Sequence, residues 1–138
     1  MELKNKMVLV VGMATSGIPT VKTLSKLGAK ITINDIKTKE KLSDIIEEIG
    51  GLCHEMILGS HPEKMDIYDL IVLSPGVPTD LPFLKKAGDE GVHIVGELEL
   101  AFRLSRGSYM AITGTNGKTT TTALTGEMFK NAKRETFV

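Results

Sequence analysis

The stretch Lys6-Met7-Val8-Leu9-Val10-Val11-Gly12-Met13-Ala14-Thr15-Ser16-Gly17 decides the fold. Its apolar run is continuous rather than alternating, which suits a central parallel strand covered on both faces. The run breaks at Gly12 into a short loop, and Ser16 is placed to cap a helix carrying Pro19 in its first turn. Ile18, Val21, Leu24 and Leu27 mark that helix's buried face, and Gly28 stops it.

The same unit then repeats. Ala29 to Asn34 reads as a second strand, with Asp35 at its carboxyl end. Lys39 to Ile49 reads as a helix with Leu42, Ile45, Ile46 and Ile49 on one stripe. Leu52 to Leu58 is a weaker third strand, interrupted by Cys53, His54 and Glu55. Leu70 to Leu73 is a fourth strand, ended by Ser74-Pro75-Gly76-Val77-Pro78. A helix over Leu81 to Glu90 follows, with Asp80 as its cap and Pro82 near N1, and then a fifth strand over Val92 to Val95. Alternating strands and helices predict an α/β fold, a doubly wound parallel sheet with right-handed crossovers, over residues 1–95.

Gly96 reads as a hinge into a second domain over residues 96–138. The expected order there is a helix over Glu97 to Leu104, a strand over Tyr109 to Ile112, a glycine loop, and a helix over Lys118 to Asn131. Leu124, Met128 and Ala132 share a stripe on that last helix, and Thr136-Phe137-Val138 looks like the opening of another strand. One strand and two helices cannot bury a core of their own. The sequence therefore reads as part of a longer protein, with its second domain incomplete.

Composition narrows the function classes. The chain has 138 residues, 41% hydrophobic and 25% charged, which is ordinary for a globular protein. Lys+Arg and Asp+Glu both number 17, so composition implies no basic face for nucleic acid. No apolar run reaches the length of a membrane span and the first residues do not start a signal peptide, which together predict a cytoplasmic protein without membrane insertion. The lone Cys53 fits a reducing compartment and reads as a buried, inert thiol. His54, His61 and His93 are scattered, without metal-ligand spacing, and read as surface or strand-end residues.

Two loops carry phosphate chemistry. In Ile112-Thr113-Gly114-Thr115-Asn116-Gly117-Lys118-Thr119-Thr120 the glycines let the backbone turn its N–H groups inward. Lys118 brings a point charge to the terminal phosphates of a nucleotide, and the Thr119 hydroxyl can reach a magnesium ion. The general phosphate-loop pattern wants a glycine where Ile112 stands, so the shorter G-T-N-G-K-T form carries the reading. The other loop, Gly12 to Gly17 with Asp35 further on, approaches the dinucleotide fingerprint, but Ala14 replaces its middle glycine. A methyl group there hinders close approach of a pyrophosphate. The topology still predicts a ligand at the carboxyl edge of the sheet, where Thr15, Ser16, Asp35, Lys37 and Ser74 to Gly76 fall. A Rossmann-type NAD-binding or sensor module without catalysis is the rival reading.

The G-T-N-G-K-T-T-T-T loop followed by Gly126-Glu127-Met128 resembles the ATP site of the Mur ligases. V-G-M-A-T-S-G at 11–17, I-N-D at 33–35, L-G-S-H-P at 58–62, L-S-P-G-V-P at 73–78 and V-G-E-L-E-L-A at 95–101 extend the resemblance along the chain. They point to the branch that adds D-glutamate to UDP-N-acetylmuramoyl-L-alanine in cytoplasmic peptidoglycan synthesis. The resemblance implies a Rossmann-like UDP-substrate domain followed by the start of a P-loop ATPase-type domain. It implies ATP and Mg2+ as cofactors, small-molecule substrates only, and a monomeric complete enzyme. It implies that an acyl phosphate forms on the substrate carboxylate and that the glutamate amine then displaces phosphate from it. By matching positions, Gly114, Thr115, Asn116, Gly117, Lys118, Thr119 and Thr120 would bind ATP, with Lys118 catalytic and Thr119 helping to hold magnesium, its other ligands lying outside this chain. Thr15, Ser16, Asp35, Ile36, Lys37 and Gly76 match positions that contact the UDP part.

Overall fold

The computed structural model describes residues 1–14 and 16–138. Its centre is a five-stranded, all-parallel sheet in the order β3-β2-β1-β4-β5, with β1 at Met7–Val11, β2 at Lys30–Asp35, β3 at Glu55–Leu58, β4 at Leu70–Leu73 and β5 at His93–Gly96. Val8 pairs with Ile31 on one side and Leu70 on the other. The chain winds outward through β2 and β3, then returns to lay β4 against the free edge of β1. The fold is α/β and Rossmann-like.

Strand periodicity explains why β1 carries no polar residue. Val8 and Val10 point to one face, Leu9 and Val11 to the other, and all four are buried. The first pair packs with Val21 and Leu24 of α1 (Gly17–Lys26), Ile49 of α2 (Ser43–Ile49) and Leu100 of α4 (Glu97–Leu104). The second pair packs with Phe83, Leu84 and Ala87 of α3 (Pro82–Asp89), together with Met65 and Tyr68. A strand lined by helices on both faces must be apolar throughout, as the sequence is.

Compact units divide at residue 105, with Met1–Ser105 in one and Arg106–Val138 in the other. The first runs past residue 95 because α4 buries Leu100 and half-buries Leu104 in its core. In the second, the one regular element is α5 (Lys118–Asn131), of which only Gly126 is buried. The expected strand at Tyr109–Ile112 is not formed, nor is one at 136–138. A strand exists by virtue of a neighbouring strand that takes up its N–H and C=O groups, and no strand pairs with these segments. Tyr109 and Met110 are exposed, as are Leu124 and Met128 of the α5 stripe.

Local chemistry departs from the sequence expectations at three helix starts. Ser16 stands before α1 but makes no side-chain cap bond, because its backbone is already helical (φ −88°, ψ −18°) where a capping residue would be extended. Leu81, not Asp80, precedes α3. The Lys39 to Ile49 helix is two pieces, a 3-10 turn over Lys39–Leu42 and then α2, joined where Leu42 leaves helical geometry (φ −114°, ψ 14°).

One exposed ion pair braces the start of β1 against the start of β4. Asp69 accepts from Lys6 Nζ and from the Met7 N–H, each at 2.8 Å, while its own N–H donates to the Met7 carbonyl. The Lys6 hydrogen bond, followed by the Met7 N–H, holds the Asp69 carboxyl below its ordinary range. A depressed carboxyl stabilises the fold above its unfolded value, near pH 4, and that contribution disappears as pH falls through the folded value. Asp69→Asn is expected to lower Tm by a few degrees at pH 7, with the gap to the parent protein closing as pH falls below the ordinary carboxylate range; thermal melts across pH check this.

Candidate functional site

In the first unit the carboxyl ends of β1, β2 and β4 meet where the winding reverses, the place at which open parallel sheets bind ligands. A cleft of about 350 Å³ opens there. Asp35, Ile36, Lys37 and Gly76 line it; Ser16 does not, since the turn presents Met13 and Ala14 to the cleft instead. Thr15 lies outside the described residues.

Asp35 organises the cleft wall. Its Oδ2 accepts the Met13 N–H at 2.7 Å and its Oδ1 accepts the Lys37 N–H at 2.8 Å. The carboxylate thereby ties the β1–α1 turn to the end of β2, and each oxygen keeps a lone pair for a ligand donor. Beside it Ile36 is 64% exposed, an apolar wall of the kind a flat ring lies against. Lys37 adds a cation at the same edge.

A second brace joins the turn to β4 and α4. The Ser74 hydroxyl stands 2.7 Å from the Gly12 carbonyl and 2.8 Å from Glu97 Oε1, and its one proton serves either acceptor. Gly12 has φ +90°, and a Cβ there would stand 2.7 Å from Val77 Cγ2 and 3.1 Å from Ser74 Cβ. Close packing and left-handed backbone both require glycine.

Sequence reading missed Asn34 and His61. Asn34 is fully buried at the end of β2, and its Nδ2 donates to the Ile57 and Ser60 carbonyls at 2.8 and 2.7 Å. His61 Nδ1 lies 3.2 Å from Asn34 Oδ1, and its ring stacks on Phe83 with centroids 4.4 Å apart. The available signal was an amide between Ile33 and Asp35 at the end of an interior strand. Cys53 stays half-buried, its Sγ against the Ile49 carbonyl, and burial pushes its thiol pKa up, in keeping with an inert thiol.

In the second unit Gly117 (φ 76°, ψ 1°) precedes α5, and the first backbone bond of the helix runs from the Thr121 N–H to the Gly117 carbonyl. The N–H groups of Lys118, Thr119 and Thr120 therefore have no partner within the helix, and such groups suit phosphate oxygens. Lys118 Nζ donates to the Gly114 carbonyl at 2.6 Å and to the Thr115 carbonyl at 3.3 Å. Its charge is held over the loop that Thr115 and Asn116 complete. These donors fit a nucleotide phosphate. Thr119 sits exposed in the first turn, and no cluster of three His, Cys, Asp or Glu gathers for a metal among the described residues.

Two glycine substitutions separate fold from site. Gly12→Ala is expected to destabilise the chain by roughly 2–4 kcal/mol, combining overpacking with backbone strain. Gly76→Ala meets no atom within 4 Å and should change stability by less than about 0.5 kcal/mol. Urea unfolding of both variants measures the difference.

Comparison with known proteins agrees with this fold. The family described as "Mur ligase MurD-like, N-terminal domain" matches residues 6–96. Relatives named UDP-N-acetylmuramoylalanine--D-glutamate ligase include those of Alkaliphilus metalliredigens (strain QYMF), 56% identical, and Clostridioides difficile (strain 630), 54% identical. Each alignment covers 100% of this chain and 31% of the relative, so the chain spans under a third of their length. Among solved structures, a pseudomurein peptide ligase type C from Methanothermus fervidus superposes with TM-score 0.58 at 27% identity, over 92% of this chain and 25% of that one. Shikimate dehydrogenase from Aquifex aeolicus, at TM-score 0.50 and 21% identity over 80% of this chain and 52% of its own, shares the fold alone. The chain thus belongs to the Mur ligase family, with residues 6–96 forming its MurD-like N-terminal domain.

Proposed function

We propose that this chain supplies the UDP-substrate cleft and the ATP phosphate loop of a cytoplasmic ligase that adds D-glutamate to UDP-N-acetylmuramoyl-L-alanine. The observation that carries the reading is the presence, in one chain, of a cleft at the sheet's reversal point and a G-T-N-G-K-T loop opening α5. The names of the relatives support the same substrates. No helix among the described residues is long and apolar enough to cross a membrane.

The cleft residues take the nucleotide part of the substrate. Asp35 holds the turn in place and offers its remaining lone pairs, Ile36 covers a flat face, and Lys37 meets diphosphate charge. Thr15 and Ser16 are further contacts of the nucleotide in this reading, and Gly76 leaves the cleft mouth bare for close approach. Residues 1–95 act as the substrate domain and 96–138 open the ATP domain.

In the loop, the free N–H groups of Lys118, Thr119 and Thr120, with Gly114, Thr115, Asn116 and Gly117 shaping the turn, cradle phosphate oxygens. ATP with Mg2+ supplies the phosphoryl group that activates the substrate carboxylate for attack by the glutamate amine. Lys118 exchanges the Gly114 and Thr115 carbonyls for phosphate oxygens and stabilises the charge that develops there. Thr119 would offer its hydroxyl to the magnesium. The complete enzyme works on these small molecules as a monomer.

A coupled phosphate-release assay on the complete gene product tests the reading. Turnover is expected only with ATP, the UDP-muramoyl substrate and D-glutamate together, and Lys118→Ala should reduce kcat at least about 100-fold. Glutamate-independent phosphate release, or an undiminished alanine variant, overturns it. Calorimetry showing NADH bound more tightly than UDP would favour a nucleotide sensor instead.

A further inference from the structure

The asparagines of the chain, Asn5, Asn34, Asn116 and Asn131, stand in different surroundings. Asn34 is fully buried, with its Nδ2 committed to two carbonyl oxygens. After Asn5 the Lys6 N–H donates to the Leu3 carbonyl at 3.1 Å, and after Asn131 the Ala132 N–H donates to the Met128 carbonyl at 3.1 Å. Asn116 is the exception. It lies exposed in the bend before α5, and its carboxamide has no hydrogen-bond partner among the described residues. The N–H of the next residue, Gly117, has none among them either.

Those two groups can react with each other. The backbone nitrogen after an asparagine attacks the side-chain Cγ when that nitrogen is unbonded and its surroundings are open. Gly117 meets both conditions. It carries no Cβ, and one built there would meet nothing nearer than Thr121 Oγ1, at 4.0 Å. No hydrogen bond to either reacting group has to break first.

We infer that Asn116 is a self-modification site: it deamidates spontaneously through a cyclic imide with the Gly117 nitrogen, and the product disables the phosphate loop. Hydroxide takes the Gly117 amide proton, the nitrogen bonds to Asn116 Cγ, and Nδ2 leaves as ammonia. Water then opens the imide at one of its two carbonyls. Opening at Cγ leaves aspartate, and opening at the main-chain carbonyl leaves isoaspartate, which lengthens the backbone by a methylene. Either way a neutral amide becomes a carboxylate. It arises at the head of α5, where the N–H groups of Lys118, Thr119 and Thr120 lack helix partners. The new anion competes for the donors that a phosphate would use and repels the phosphate itself. That consequence rests on the proposed function, since the loop must take a nucleotide; the reaction does not.

Peptide mass spectrometry of the complete gene product, aged without nucleotide at about pH 8, reads the reaction. Position 116 is expected to convert at least about tenfold faster than position 131, where the following N–H is bonded and the following residue carries a Cβ. A mixture of aspartyl and isoaspartyl products marks the imide route. Asn116→Asp carries the charge without the ageing. Calorimetry should show it binding ATP with Mg2+ at least about tenfold more weakly than the parent, with Tm unchanged within about two degrees. Conversion at 116 no faster than at 131, or an Asn116→Asp variant that binds ATP as tightly as the parent, overturns this inference while the proposed function stands. Failure of the parent to bind ATP at all overturns the proposed function and the consequence drawn here, whatever the rate at 116.

Discussion

Two backbone N–H groups on one buried carboxylate hold the cleft together. Asp35 receives Met13 from the turn after β1 and Lys37 from the turn after β2, so a single side chain sets the distance between two adjacent loops. Those loops would otherwise be joined only by the last rungs of the parallel ladder, Val11 with Asn34, and by the Gly12 N–H on the Asn34 carbonyl. Charge-assisted bonds to backbone are about twice as strong as neutral ones, and here they are shielded from water. In a nicotinamide-binding relative of this fold an acid at this place faces a ribose. Here much of its capacity goes to shaping the wall, consistent with Ala14 standing where that fingerprint has a glycine.

The Ser74 brace extends the same logic to the other side of the sheet reversal. Gly12 can carry no side chain because Ser74 and Val77 close over it, and Ser74 in turn reaches Glu97 at the head of α4. The first turn of a helix favours negative charge, so Glu97 is stabilised where the brace needs it. Three chain segments distant in sequence thereby meet at one hydroxyl group.

Much of the fold was legible because burial on two faces writes itself as unbroken apolar runs. Met7–Val11 and Leu70–Leu73 could be read directly, and so could α4 and α5, which begin and end at glycine, charge or polar breaks. Tyr109–Ile112 carried the same apolar signal yet forms no strand, since a run of this kind specifies burial and says nothing of whether a neighbour exists to pair with it. Asp80 and Ser16 show the limit at helix ends, where a capping residue type is necessary but the backbone angles decide. In the cleft, Asp35, Ile36, Lys37 and Gly76 were visible as residues at strand ends. His61 was not: its placement comes from Asn34, 27 positions earlier, and from a stack on Phe83, contacts that no local pattern records.

The placement of β1 in the middle of the sheet has a consequence for synthesis. Its first neighbour, β2, follows closely, but the second, Leu70–Leu73, is made some sixty residues later. A nascent chain emerging at about 5–20 residues per second therefore presents an open, wholly apolar β edge for several seconds before closure is possible. Chaperone demand during translation should be concentrated in that interval, ahead of the arrival of β4.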